Sequence, residues 1–181
     1  MEHPNSSRRI YEGRVINLRV DEVVTGDGWS TTREVVEHRG AAAIVPLLDK
    51  DNVILVRQYR YAIGSDLLEI PAGTLEPDEA PDHCARRELE EETGYRCGKL
   101  TKILECYVAP GYSTEKIHFF LARDLVRTEM RTEEDESIRP EILPIAALVG
   151  RIQEGNIRDA KTICGLYRAM DLISSEGACY D

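Results

Sequence analysis

No apolar run in the 181-residue sequence approaches the ~18 residues of a membrane-spanning helix, so no membrane partner is expected. The opening MEHPNSSRRI lacks the apolar stretch of a secretory signal, and a cytoplasmic protein is expected. Positive charge is scarce. With 23 Lys and Arg against 33 Asp and Glu, the formal net charge is −10, which excludes the basic footprint of a sequence-independent nucleic-acid binder. Five cysteines, at positions 84, 97, 106, 164 and 179, give an odd count without a C-x-x-C pair. That pattern suggests neither a disulfide framework nor a zinc knuckle. The histidines His3, His38, His83 and His118 form no helical ligand pair of the H-E-x-x-H kind. Internal repeats and low-complexity segments are missing too. What remains is a soluble chain the size of one domain with room for a small appendage. Its acidity still permits a phosphorylated small molecule, provided metal ions bridge the two.

Residues 1–9 are polar and are expected to fray. From Ile10 to Glu37, the β-type stretches RVINLRVDEVV and TTREVVEH flank GDGW, where Gly26, Asp27 and Gly28 favour a hairpin. AAAIVPLL then reads as a buried strand, DKDN as a turn, and VILVRQYRY as a second strand. The loop LEIPAGTLEPDEAP leads into a helix running from about Glu79 or Pro81 to Thr93, framed by Pro81 at its start and Gly94 at its end. Strands recur at KILECYV and KIHFFLA, separated by the turn APGYSTE. The acidic run EEDES reads as a loop, and ILPIAALVGRIQEGN and RDAKTICGLYRAMDLI both carry helical spacing of apolar residues.

Inside the first helix, Arg87 to Gly94 read RELEEETG, with four glutamates in eight positions. At about 100° per residue, Glu88, Glu91 and Glu92 share one face while Glu90 points the other way. Three carboxylates at i, i+3 and i+4 repel by a few tenths of a kcal/mol per pair unless a positive group sits among them. They also lie at the end of the helix where the macrodipole disfavours anions. Breaking two local rules at once marks a functional site. Hard divalent cations remove both conflicts, because Mg²⁺ prefers carboxylate oxygens and fills its remaining positions with water or substrate phosphates. A phosphate ester or anhydride is then the natural substrate class. Taken alone, the three glutamates read more readily as a solvated acidic face.

The wider stretch GTLEPDEAPDHCARRELEEETGY resembles the Nudix box, Gly-x5-Glu-x7-Arg-Glu-U-x-Glu-Glu-x-Gly-U with U a bulky aliphatic residue. Gly73, Glu79, Arg87, Glu88, Glu91, Glu92 and Gly94 all match, and the one departure, Tyr95 at the last U, falls on a packing position. The resemblance implies that Glu88, Glu91 and Glu92 bind metal, joined by the carbonyl of Ala72 in the IPAG turn. It implies that Arg87 braces the loop by pairing with acidic neighbours such as Glu79, and that Gly73 lets the backbone turn tightly. The implied fold is α+β: a Nudix-like α/β/α sandwich with a mixed β-sheet over residues 41–175, preceded by a small N-terminal antiparallel β-sheet over residues 1–40.

Beyond the box, APGYSTE with Pro110, and VRQYRYAIGSDLLEIPAGTLE, resemble the ADP-ribose pyrophosphatase branch. That resemblance implies Mg²⁺-dependent (or Mn²⁺-dependent) hydrolysis of ADP-ribose to AMP and ribose 5-phosphate. Other ADP-sugars, GDP-mannose, or a non-catalytic ADP-ribose-sensing module remain alternatives. It also implies a homodimer in which the N-terminal segment makes substrate contacts. Glu136, ahead of Glu134 and Glu133, is the candidate base or water-orienter, and the metal-binding Glu91 and Glu92 are counted with it as catalytic. Arg57 and Arg60 are candidates for the phosphates or terminal ribose, Trp29 and Arg33 for the adenine moiety, and Tyr112 and Glu115 flank the Pro110 turn in a similar position.

Overall fold

The structure, a computed structural model, describes residues 1–131 and 137–177. Two compact units emerge, one made of Met1–Gly40 with Cys106–Ile117, the other of Ala41–Glu105 with the residues from His118 onward.

In the first unit, β1 (His3–Glu12), β2 (Asn17–Val24) and β3 (Ser30–Glu37) form an antiparallel sheet in that order. The GDGW turn closes β2 onto β3, with Thr25 and Trp29 bonded backbone to backbone at 2.9 Å and Gly28 at a φ of 88° that favours glycine. The first nine residues do not fray as expected; β1 pairs along β2 from His3 opposite Val24 to Glu12 opposite Asn17. Every β1 residue is exposed, so polarity was no bar to an edge strand held by its ladder and by side-chain pairs. Ser7 donates to Asp21 at 2.6 Å and Arg9 meets Glu37 at 2.9 Å. The APGYSTE turn is tied to β3 by Val36 N–H to the Tyr112 carbonyl at 2.7 Å and by Thr114 N–H to the Val36 carbonyl at 3.0 Å.

The second unit divides its strands between two sheets. One holds β10 (Ile138–Pro144), β5 (Asn52–Arg60) and β6 (Ser65–Glu69); the other holds β7 (Ala72–Thr74), β4 (Ala41–Pro46), β9 (Lys116–Arg127) and β8 (Tyr95–Tyr107), each in that order. Alternation along β4 and β9 explains the layers. Ala42, Ile44, Phe120 and Ala122 pack against Cys84, Ala85 and Leu89 of α1 (Pro81–Thr93). Val45 and Phe119 face the other way, toward α3 (Ala160–Gly177). There α3 approaches so closely that a Cβ on Gly165 would lie 2.8 Å from Ile70 and 3.2 Å from Phe119. The α/β/α layering implied by the resemblance is present.

Two stretches differ from their sequence reading. LEIPAGTLEP is not all loop, because it contains the end of β6 and the whole of β7. ILPIAALVGRIQEGN begins as β10, antiparallel to β5, and turns helical only at Ile145–Ala147 and α2 (Leu148–Gln153). A short apolar run does not separate strand from helix by period alone. Pro140 and Pro144 were the cue, tolerated because β10 is an edge strand.

Candidate active site

The site is assembled where the turn between β6 and β7 meets the last two turns of α1. Pro81 occupies the first turn, where its missing N–H is harmless, and Gly94 closes the helix in the left-handed region at φ 71°, its N–H on the Glu90 carbonyl at 2.9 Å. The face carrying Cys84, Ala85 and Leu89 is buried, and Glu88 and Glu92 are buried beside it. A carboxylate does not enter such a position without partners. One is Arg87. Its Nε and Nη2 clamp both oxygens of Glu79 at 3.0 Å each, and its Nη1 donates to Glu88 at 2.6 Å and to Glu91 at 3.1 Å. The hydrogen bonds that Arg87 donates to Glu79 raise the Arg87 pKa well above its ordinary value, and the same bonds hold the Glu79 carboxyl below its own. Glu79 is itself aimed by a tight turn: it accepts the Glu76 N–H at 2.9 Å, and Asp78 takes a left-handed φ of 60°.

The loop side is equally constrained. The Ala72 N–H donates to Glu92 Oε2 at 3.1 Å. A Cβ on Gly73 would fall 1.8 Å from Glu88 Oε1, so glycine is required for the backbone to lie against that carboxylate. Cys84, beneath them, is driven up to about 12 by burial and by the negative charge of Glu88 and Glu79. It is an inert packing thiol.

A second cluster flanks the turn on the β6 side. Glu69 is 1% exposed, accepts Nε and Nη2 of Arg60 at 2.8 Å each, and also pairs with Lys161. Lys161 reaches Asp159 at 3.0 Å, and Asp159 accepts from the Thr162 N–H at 3.0 Å and from its hydroxyl at 2.6 Å. Thr162 in turn accepts the Ile70 N–H at 2.9 Å.

Residues 37–166 match the NUDIX domain family. The chain belongs to the Nudix family. It is 39% identical over 159 residues to an ADP-ribose pyrophosphatase of Bacillus subtilis (strain 168), covering 87% of this chain and 86% of that one. It is likewise 39% identical over 148 residues to a GDP-mannose pyrophosphatase of Citrobacter koseri, covering 76% and 77% of the two chains. Among solved structures, an ADP compounds hydrolase superimposes with a TM-score of 0.87 at 23% identity, over 97% of this chain and 96% of that one. That likeness speaks for the fold.

In this Nudix hydrolase, seven sequence-selected residues stand in one connected cluster: Ala72, Gly73, Glu79, Arg87, Glu88, Glu91 and Glu92. Glu90 is turned away and pairs with Arg96 at 2.7 Å. Arg60 feels the charge of Glu92 after that of Glu69, and both help to raise its pKa. Arg57 pairs with Glu141 at 2.6 Å, and strand alternation sends it to the face of β5 opposite Arg60. Trp29, Arg33, Pro110, Tyr112 and Glu115 belong to the first unit, where Trp29 is 73% exposed and Arg33 pairs with Glu2. Glu136, Glu134 and Glu133 lie outside the described residues. Among the described residues, no three carboxylate, imidazole or thiol groups converge at metal-ligand spacing; Arg87 Nη1 stands between Glu88 and Glu91 instead. The Glu69–Lys161–Asp159 group was not selected from the sequence. Its one signal was a glutamate closing the apolar strand SDLLE, which must find partners if buried.

Proposed function

We propose that this Nudix hydrolase is a Mg²⁺-dependent (or Mn²⁺-dependent) ADP-ribose diphosphatase that splits the P–O–P bridge to give AMP and ribose 5-phosphate. The observation that carries the reading is the gathering of Glu88 and Glu91 around one positive group against the Gly73 backbone, with Glu92 bonded to Ala72. The donor set is all oxygen, partly buried and already arranged about a cation, which fits a hard divalent ion. Glu88, Glu91, Glu92 and the Ala72 carbonyl would hold it, and once bound it would neutralise the diphosphate and acidify a water.

The chain's own residues do the rest. Arg87 keeps the helix and its leading loop together through Glu79. Glu92 keeps the IPAG turn against α1 through the Ala72 N–H. Arg60 offers cationic donors to the diphosphate, and Glu136, assigned by resemblance, takes the proton of the attacking water. Water oxygen joins one phosphorus while the other phosphate leaves with the bridging oxygen. The ADP-ribose pyrophosphatase of Bacillus subtilis supports this substrate, and the GDP-mannose pyrophosphatase supports GDP-mannose as the second reading. Incubating the protein with ADP-ribose, ADP-sugars and GDP-mannose, with and without Mg²⁺, decides between them. AMP from ADP-ribose is the expected product, and preferential release of GMP from GDP-mannose would transfer the assignment.

The same reading takes the protein as a cytoplasmic homodimer whose N-terminal segment completes the partner's substrate site with Trp29, Arg33, Pro110 and Tyr112. Exposed Ile10, Tyr11, Val15 and Ile16 on the first unit support an interface. Light scattering should return twice the 20.4 kDa chain mass; a fully active monomer would refute it.

A further inference from the structure

Glu69 is the most deeply buried carboxylate of the described residues, 1% exposed at the end of β6. A carboxylate is tolerated there only if its partners compensate the loss of water. Desolvation would lift its pKa, yet Arg60 and Lys161 outweigh that and hold it below the usual carboxylate value. The exposure of the group is graded: Glu69 is enclosed, Lys161 is 15% exposed, and Arg60, at the outer end, is 38% exposed. Arg60 commits only Nε and one Nη2 proton to Glu69. The other three of its five donors, two of them on the end-on edge of the planar fork, make no hydrogen bond among the described residues. That outer end lies in the field of Glu92, which accepts the N–H of Ala72, three residues along the chain from Glu69.

We propose that Glu69, anchored from behind by Lys161 and Asp159, is a positioning residue that clamps Arg60 side-on so that the free edge of its guanidinium receives the diphosphate of a nucleoside diphosphate sugar. The inference rests on the diphosphatase reading and deepens it. A guanidinium can hold a carboxylate on one edge and a phosphate on another without rearranging, which a lysine cannot do. Pairing with Glu69 alone would cancel the charge Arg60 brings to the phosphates. Lys161, on the same Glu69 oxygen as Arg60 Nη2, shares that carboxylate, so Glu69 does not pair off Arg60 alone. Asp159 fixes Lys161 to the head of α3 through Thr162, so the clamp is built on a helix rather than on a loop.

A glutamate that merely joins β6 to α3 would act on substrate binding independently of Arg60, and a double-mutant cycle separates the two roles. KM and kcat for ADP-ribose are measured at saturating Mg²⁺ for wild type, R60A, E69Q and the double variant. Each single change should raise KM by about tenfold to a hundredfold, the loss of one charge-assisted contact, with kcat nearly unchanged. Adding E69Q to R60A should then alter KM less than about twofold. If the two effects multiply instead, Glu69 does not act through Arg60 and the proposal is overturned. E69D, which keeps the charge but withdraws the clamp by one methylene, replaces E69Q in the same cycle if E69Q does not fold. Should wild type cleave no nucleoside diphosphate sugar, the diphosphatase reading has failed separately. The cycle is then read as the Kd of inorganic pyrophosphate by calorimetry, where non-additivity supports the clamp and additivity overturns it.

Discussion

On either side of the turn that carries Ala72 and Gly73 stand two charged clusters of opposite construction. On the α1 side, Glu79, Glu88 and Glu91 share one guanidinium, that of Arg87, with Glu92 one residue further along the helix. On the β6 side, Glu69 and Asp159 face two cations, Arg60 and Lys161. Among the described residues, the ion pairs of the first cluster converge on one cation and those of the second on two, so the first is the more anionic. A balanced buried cluster is finished as built, and its breakage leaves an orphaned charge. A cluster left in anionic excess is complete only with a cation added, so its members should matter more to chemistry than to stability.

That contrast predicts the largest effect for Glu92→Gln. The amide keeps an oxygen to accept the Ala72 N–H but removes a charge from the proposed metal-binding face, so metal-dependent kcat/KM should fall by about a hundredfold or more. The Tm without metal should stay at or above that of wild type. Mg²⁺ at a hundred times its Kd should stabilise the wild type by about 2.7 kcal/mol and leave the variant unmoved. A variant that melted far below wild type without metal would show that the α1 cluster is structural after all.

Glu69→Gln should do the reverse to stability. Breaking a buried, doubly paired carboxylate costs about 3 kcal/mol, a Tm loss of roughly 6–12 °C for a domain of this size. Because the folded pKa of Glu69 is depressed, its contribution is fully present above the ordinary glutamate value of 4.5 and is lost as pH falls through the lower folded value. Urea midpoints of wild type and variant should therefore be well separated at neutral pH and converge in acid. A gap that widened on acidification would contradict the pairing.

Gly73→Ala probes the seam between the clusters. The new Cβ would fall 1.8 Å from Glu88 Oε1, and the atom in its way is the tip of a flexible side chain. The carboxylate should swing aside at modest cost in Tm while kcat/KM drops about tenfold or more through the misplaced ligand. Equal activity in the alanine variant would mean that Glu88 need not lie where it does.

How far these clusters could be read in advance follows from chain separation. Pro81 and Gly94 bracket α1 locally, and a 3.6-residue period put Glu88, Glu91 and Glu92 on one face without any knowledge of the rest of the fold. The Arg87–Glu79 pair spans eight residues and was named from the box. Glu69 and Lys161 are 92 residues apart, and no periodicity relates positions that only tertiary packing brings together. The same limit hid β1, whose exposed polar residues look like a tail until β2 supplies the ladder. It also gives the end of β10, Ile142 to Pro144, a helical reading, because the partner that decides between strand and helix there is β5.

Glu90 supplies the smallest effect and the sharpest control. It lies in the same helix as Glu88, Glu91 and Glu92 and carries the same charge, yet among the described residues its one salt-bridge partner is Arg96, itself 67% exposed. The hydrogen bond from Arg96 lowers the Glu90 pKa, but water and salt screen a pair of this kind, and holding two long side chains in place offsets much of the gain. Glu90→Gln should leave kcat/KM, the Mg²⁺-induced rise in Tm and the Tm itself at wild-type values. If Glu90→Gln impaired catalysis as Glu92→Gln does, acidity along α1 would matter irrespective of direction, and the distinction between the two faces of RELEEETG would have no functional content.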